Sequence, residues 1–180
     1  MHGLKGDWKK LERDLKRFPN LLGDNIKLAT EKNAISARDA VKKLIRHGLP
    51  EWPPLKPATI ARKGSSRPLI DHGDLMNSVI PRKILKNSFF IGVPRNARRK
   101  STRNVELAGR GGVMRQSQSS LFNIARVHEF GAPNAGLPAR PFIVPAFDAR
   151  LLRKLMARWR NAVRMTARGR KYSELKGILN

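Results

Sequence analysis

The sequence predicts an α+β fold, with a small antiparallel sheet packed by long N-terminal and C-terminal helices and with a long basic loop. Two segments, about 21–47 and about 145–168, repeat apolar residues every three or four positions, which is the spacing of an amphipathic helix. Between them, two runs of β-branched and aromatic residues are separated by Lys86 and Asn87, which predicts a β-hairpin. At 180 residues the chain has room for one domain with a modest core, so we predict a single domain over residues 1–180.

The N-terminal region predicts two helices in succession. Apolar residues at helical spacing indicate a short amphipathic helix over residues 4–17, which Pro19 is expected to stop. A longer helix is expected over about 21–47. Gly48 is expected to end it, because glycine readily adopts the left-handed conformation that follows many helices.

The segment after this helix is rich in proline, with four prolines in residues 49–57. Proline cannot donate a backbone hydrogen bond, so we expect the segment to run extended across a surface, with Trp52 pinning it to the core. One turn of helix is expected within residues 57–66, where Gly64 then releases the chain.

The hairpin is expected from about residue 79 to 93, with Pro81 placing its first strand at a sheet edge or bulge. Residues 94–120 then form a polar loop, and a loop of this length is either functional or disordered when the protein is alone.

Three elements are expected to follow this loop. A helix from residue 121 is expected to stop at Gly131, and a short strand is expected in residues 141–145. The last helix starts near Pro145, carries its apolar residues on one face and is expected to end at Gly169.

The composition is strongly basic, with 38 Lys and Arg against 13 Asp and Glu and a formal net charge of +25. Such a chain attracts negative partners, which include nucleic acid, an anionic membrane surface and an acidic protein. The chain contains no cysteine, which excludes disulfides, thiolate metal sites and cysteine nucleophiles. No apolar run has the length of a signal peptide or a membrane-spanning helix, so we expect neither export nor membrane insertion.

Two sets of basic residues are the candidate contacts to DNA or to an acidic partner. The loop residues are Arg95, Arg98, Arg99, Lys100, Arg103, Arg110 and Arg115. The residues of the last helix, on a stripe opposite its apolar face, include Arg153, Arg160, Arg164 and Arg168. Each set is either a solvated surface or a contact to a neighbouring subunit, a partner or DNA phosphates, where binding would be sensitive to salt. The loop has no aromatic residues for base stacking, so sequence-specific recognition is not expected.

The sequence 68–80, PLIDHGDLMNSVI, is the strongest apparent catalytic motif. We interpret Asp71 as the cap of a helix that begins at His72, and Asp74 as a first-turn acid that favours the helix dipole. The Asp-His-Gly of residues 71–73 is similar to the Asp-Thr-Gly of aspartic proteases, but those enzymes need two such carboxylates that share a proton, and the motif occurs once in this chain.

Other enzyme motifs also fail on residue type or spacing. The segment around His128 lacks the second histidine that a helical zinc-protease motif requires. No serine lies in a Gly-x-Ser-x-Gly nucleophile elbow, and no glycine-rich loop ends in the Gly-Lys-Ser of a phosphate-binding loop. We therefore predict no catalytic residue, no metal and no cofactor.

Three segments, residues 52–79, 89–94 and 125–147, resemble in their order the tail-completion or head-to-tail joining proteins of tailed bacteriophages, the broad group of phage virion morphogenesis proteins. The residues that carry the resemblance are Leu55, Pro57, Thr59, Arg62, Lys63, Gly64, Leu69, Ile70, Asp71, Gly73, Leu75, Ser78, Ile91, Gly92, His128, Phe130, Gly131 and the run from Pro138 to Phe142. His72 stands where the pattern usually has Thr. The segments span about half of the chain, and neither the first 50 residues nor the basic loop takes part.

The resemblance implies the same α+β fold and a non-enzymatic structural protein of the virion. Copies of the chain would form a ring, commonly of six, at the neck around the DNA passage, after assembly in the host cytoplasm. Its expected partners are itself, the head–tail connector and the tail-terminator or tail-tube proteins, with passing genomic DNA bound without sequence specificity. Residues expected at a subunit or partner interface are Trp52, Pro138, Arg140 and Phe142. Phe142 is expected to anchor either in the core or in that interface, and Arg140 to bond a carboxylate or backbone carbonyls. The alternative, favoured by charge alone, is a nucleic-acid-binding architectural protein of ribosomal or nucleoid type.

Overall fold

The computed structural model describes residues 6–99 and 120–174, and over these residues it confirms the α+β fold. The helices are α1 (Trp8–His47), α2 (Pro57–Lys63), α3 (Asp74–Ser78), α4 (Leu121–Phe130) and α5 (Ala149–Ala167). Strands β1 (Ile80–Leu85) and β2 (Ser88–Gly92) form a two-stranded sheet. Short 3-10 turns occur at Pro133–Ala135, Val144–Ala146 and Tyr172–Glu174.

The described chain divides into two compact units, where the sequence predicts a single domain. The first unit comprises residues 6–35, 83–89 and 149–174, and the second comprises residues 36–82, 90–99 and 120–148. Helix α1 and the hairpin therefore contribute residues to both units.

The second unit has the larger apolar core. Phe142, Val41, Val79 and Ile45 are its largest fully buried side chains. They pack with Trp52 and with the buried apolar residues Leu69, Leu75, Val93, Leu121, Ala125 and Ala146. These residues come from α1, α3, α4, the two ends of the hairpin, the proline-rich segment, residue 69 and the turn after residue 141, so the core joins segments that are distant in sequence.

The first unit packs α1 against α5 through a small apolar core and several buried polar groups. Ala29, Ala162, Met165 and Tyr172 form the apolar cluster. Asn25 donates to the hydroxyl of Thr166 at 3.0 Å and to the carbonyl of Arg170 at 3.0 Å, and it accepts from the amide of Tyr172 at 2.7 Å.

A second asparagine bond fixes the direction of this packing. Asn33 donates to the carbonyl of Leu155 at 3.1 Å. Residue 25 thus lies level with residues 166–170 and residue 33 with residue 155, so α1 and α5 run antiparallel.

The predicted helix ends at glycine are confirmed. Gly48 has φ 75° and its amide donates to the Leu44 carbonyl at 2.8 Å, and Gly131 ends α4 with φ 78°. Gly169, with φ 67°, follows α5. The hairpin also lies where the sequence predicts it, because both its strands and its turn are encoded by local residues.

Two predicted boundaries are wrong. Pro19 does not stop the first helix, because α1 continues through it as one 40-residue helix. A proline removes only one helical hydrogen bond, and at this exposed position water can satisfy the carbonyl that is left. The predicted strand in residues 141–145 is instead a turn that ends in the 3-10 segment Val144–Ala146, and Pro145 lies in this turn, before α5 begins.

Candidate functional site

The proline-rich segment is held in place by a tryptophan and an arginine of the second unit. The indole of Trp52, 8 % exposed, donates from Nε1 to the Pro141 carbonyl at 3.1 Å. Arg140 donates from Nε to the Pro53 carbonyl at 2.9 Å and from Nη2 to the Pro54 carbonyl at 3.1 Å. The prolines remove backbone donors but leave carbonyl acceptors, and the guanidinium, which has only donors, satisfies two of them.

This arrangement bears on three of the four residues that are expected at an interface. Trp52, Arg140 and Phe142 are predicted at an interface, but their side chains are buried in their own chain, with Phe142 fully enclosed. Phe142 thus lies in the core, one of its two predicted places, and Arg140 bonds backbone carbonyls, one of its two predicted roles. Pro138 is exposed, and its interface role stays a prediction.

Glu129 is a structural residue that the sequence analysis missed. Its buried carboxylate accepts backbone N–H bonds from Phe142 at 2.8 Å, Ile143 at 3.0 Å and Val144 at 3.1 Å. These bonds shape the turn after residue 141 and occupy the amides that a strand would have used in a ladder. One signal was present in the sequence, because an acid near the C-terminus of α4 is disfavoured by the helix dipole and so needs a partner elsewhere.

The predicted capping role of Asp71 is wrong. Helix α3 begins at Asp74 with Gly73, φ 80°, at the cap position, and no side chain caps it. Asp71 instead forms an ion pair with Arg99, whose Nε also lies 3.6 Å from Asp74. Asp74 does lie in the first turn of α3, as predicted. The charge-assisted bond from Arg99 gives Asp71 a tertiary partner that its local sequence does not indicate.

These segments surround one cleft of about 540 Å³ in the second unit. Its charged and polar lining residues are Lys56, Thr59, Arg62, Lys63, Asp71, His72, Asp74, Arg99, His128 and Arg140. Five cationic side chains thus face two carboxylates. All these residues except Arg99 belong to the three segments that carry the family resemblance.

The cleft is electropositive at its inner side. Burial, with the charges of Arg140 and Lys63, lowers the pKa of His128 and so favours the neutral imidazole. Burial also lowers the pKa of Lys63, with Asp71 acting against the shift and Arg140 adding to it. Lys63 donates to the carbonyls of Arg67 and Pro68, so this ammonium, like Arg140, holds the fold together.

The chemistry of this lining favours structure over catalysis. Thr59 is the one hydroxyl side chain among the described lining residues, and the two carboxylates are paired with Arg99. Within residues 6–99 and 120–174, no group of three His, Asp or Glu side chains could hold a metal ion. The histidine, lysine and arginines of the described cleft can neutralise anions or bind carbonyls.

The basic loop is described only at its two ends. Arg95 lies over the ring of Phe122, 5.8 Å from its centroid, and Arg98 donates to the Arg95 carbonyl at 3.4 Å. Arg99 is ion-paired with Asp71 within the unit, and its role as a contact to DNA or to an acidic partner stays a prediction. The predicted contacts Lys100, Arg103, Arg110 and Arg115 lie outside the described residues.

Helix α5 is oriented differently from the prediction. Leu155, Ala162 and Met165 are buried, and Arg158 is buried with them, donating to the Lys32 carbonyl at 3.2 Å and to Asn33 Oδ1 at 3.3 Å. The predicted apolar face of α5 is therefore divided into a buried part and an exposed part. The side chains left exposed are Leu152 (48 %), Met156 (56 %), Trp159 (36 %) and Val163 (46 %).

The exposed arginines of α5 agree better with the prediction. Arg153, Arg160, Arg164 and Arg168 all lie at the surface. They follow the exposed apolar residues around the helix, so this surface is both apolar and basic.

A second set of exposed apolar side chains lies at the start of α1. Trp8 (59 %), Leu11 (47 %), Leu15 (63 %) and Phe18 (39 %) form one stripe along the first three turns. Described residues 6–20 are all exposed.

No described helix is long and apolar enough to cross a membrane. Comparisons with protein-family models, with curated proteins and with solved structures found no match to this chain.

Proposed function

We propose that this protein is a structural component of a tailed-bacteriophage virion, which completes the neck or tail and joins the tail to the head as a ring around the DNA passage. It acts by assembly and catalyses no reaction. The proposal rests on the ordered resemblance of residues 52–79, 89–94 and 125–147 to proteins of that kind, and on how those segments are used in the fold.

The observation that carries the proposal is the internal use of the polar residues in these segments. Arg140 binds two proline carbonyls, Glu129 binds three amides and Asp71 pairs with Arg99. Side chains that are already bonded to their own backbone or to each other serve a scaffold, whereas a catalytic site keeps a reactive group open to substrate.

The exposed apolar stripes on α1 and α5 give further support. A monomer seldom presents long rows of large apolar side chains to water, and such rows mark surfaces that associate with protein. A virion protein would cover them with neighbouring copies or with the proteins above and below it in the neck.

The proposal is tested in the phage that encodes the chain. Antibody labelling and imaging of purified particles should find the protein at the head–tail junction, and particles from a null mutant should accumulate as separate heads and tails. Absence of the protein from finished particles would refute the proposal, as would turnover of a small molecule by the purified chain.

A nucleic-acid architectural protein is the second candidate, because α5 carries a surface row of arginines and no acid. Mobility-shift titration of nuclease-treated protein with random duplex DNA distinguishes the two. Submicromolar binding that weakens steeply with salt, without self-association, would favour the second candidate. Arg160→Gln with Arg164→Gln should then reduce the salt slope by about two.

A further inference from the structure

We propose that the first three turns of α1 (residues 8–18, the arm) dock in parallel onto the exposed apolar stripe of α5 (Leu152, Met156, Trp159 and Val163, the α5 stripe) of a second copy of this chain. The inference rests on the proposed ring assembly and names the contact that would build it.

The arm has the pattern of a coiled-coil strand. Its apolar residues, Trp8, Leu11, Leu15 and Phe18, are spaced by three, four and three residues, which is the spacing of the a and d positions of a heptad. They form a narrow seam along one side of a helix that is exposed in its own chain.

The charges of the arm are sorted around this seam. At about 100° per residue, Asp7 and Asp14 lie along one edge of the seam and Glu12 lies along the other. The five basic residues occupy the far side of the helix: Lys9, Lys10, Arg13, Lys16 and Arg17. The arm of a very basic protein therefore presents an apolar seam with acidic edges.

The α5 stripe has the complementary pattern. Its four apolar residues are spaced by four, three and four, so they also occupy a and d positions. One side of the stripe adjoins the face buried against α1, and the other is bordered by Arg153 and Arg160. Helix α5 contains no acid, so the partner that fits it has an apolar seam with carboxylates along one edge.

The two surfaces also match in length and in charge spacing. Trp8 to Phe18 spans about 15 Å and Leu152 to Val163 about 16 Å at the helical rise. Asp7 and Asp14 are seven residues apart, as are Arg153 and Arg160. In a parallel pair the edge that carries Asp7 and Asp14 faces the edge that carries the two arginines.

The arm cannot reach the stripe of its own chain. Helices α1 and α5 are antiparallel, and Asn25 is already level with residues 166–170, at the end of α5. Residues 8–18 therefore project roughly 10–25 Å past that end. An arm that leaves one chain to bind a different surface on the next makes a head-to-tail contact, which closes into a ring when the rotation permits.

The test uses the full-length chain and measures its mass by sedimentation. Leu11→Ser with Leu15→Ser disables the arm, and Leu152→Ser with Met156→Ser disables the stripe. All four side chains are about half exposed or more, so the fold should survive. Each pair should weaken self-association about tenfold or more, whereas Ile84→Ser with Leu85→Ser, which removes equally exposed apolar side chains from β1, should not.

Mixing the two disabled chains gives the decisive result. The arm-disabled chain keeps its stripe and the stripe-disabled chain keeps its arm, so an equimolar mixture should form one-to-one heterodimers that grow no further. If arms pair with arms, the stripe substitutions leave the mass unchanged and the mixture gives no heterodimer, and the inference is overturned.

Charge reversal tests the parallel register. Asp14→Arg and Arg160→Asp should each weaken association, and the chain that carries both should recover it. If the chain with both substitutions associates more weakly than either single variant, the parallel register is overturned. If the wild-type chain stays monomeric at its highest soluble concentration, the docking itself is overturned. The proposed function is judged separately, by the presence of the protein in particles, and wild-type rings that resist the arm and stripe substitutions would refute this contact alone.

Discussion

The second unit buries two charged side chains that bond its own backbone, whereas the first unit leaves two rows of apolar side chains on the outside of its helices. In the second unit, Glu129 and Arg140 are buried and each bonds at least two backbone groups. In the first unit, the seam of α1 and the α5 stripe remain in contact with water. Under the proposed function, the segments that carry the resemblance supply the internal bonds of the second unit, and the helices outside them, α5 and the N-terminal part of α1, supply surfaces for association.

The largest effect that would break this comparison is expected at Glu129. Glu129→Ala leaves three backbone amides of residues 142–144 without their acceptor, and we expect a loss of about 3 kcal/mol or more in the free energy of unfolding, measured with urea. Glu51→Ala removes the same charge from an exposed site and serves as the control, with an expected change within about 0.5 kcal/mol. A Glu129→Ala protein as stable as the control would show that the carboxylate does not organise the turn.

A smaller effect is expected from pH, again in the second unit. Burial and the neighbouring cations lower the pKa of His128 below its ordinary value of 6.5 in the folded chain. As the pH falls, the imidazole is protonated in the unfolded chain before it is protonated in the folded chain, which favours unfolding. The free energy of unfolding is therefore highest above about pH 6.5 and decreases as the pH falls towards the folded pKa.

Urea unfolding at several pH values between about 7 and 5 measures this slope. His128→Gln should flatten it, and His47→Gln, which replaces an exposed histidine, should leave it as in the wild type. Equal slopes in all three proteins would contradict the account of the cleft as an electropositive site.

The sequence predicts best those features that depend on near neighbours. The hairpin and the helix ends at Gly48 and Gly131 follow from residues within one or two turns, and all three are confirmed. Trp52 is likewise predicted to pin the proline-rich segment, because a large aromatic residue among prolines has little else to pack against, and the structure confirms its burial.

Features that depend on a distant partner escape such reasoning. Asp71 has the local context of a helix cap, but Arg99, 28 residues away, binds it instead. In α5 the periodicity places Arg158 outside the apolar face, yet the Lys32 carbonyl and Asn33 make its burial favourable and so rotate the helix. The cleft itself joins segments from across the second unit, and local periodicity cannot bring them together.

The smallest expected change in the free energy of unfolding concerns Tyr172, a buried residue of the first unit. Tyr172 is 2 % exposed, and its hydroxyl is the one buried side-chain oxygen or nitrogen among the described residues without a hydrogen-bond partner. A hydroxyl buried in this way destabilises the fold, so Tyr172→Phe should leave stability unchanged or raise it by up to about 1 kcal/mol. Thr166→Val is the contrasting variant, because the Thr166 hydroxyl accepts from Asn25 and donates to the Ala162 carbonyl, and its loss should destabilise by about 1 kcal/mol. Urea unfolding compares the two, and a Tyr172→Phe chain destabilised as much as Thr166→Val would mean that the first unit, like the second, depends on every polar group that it buries.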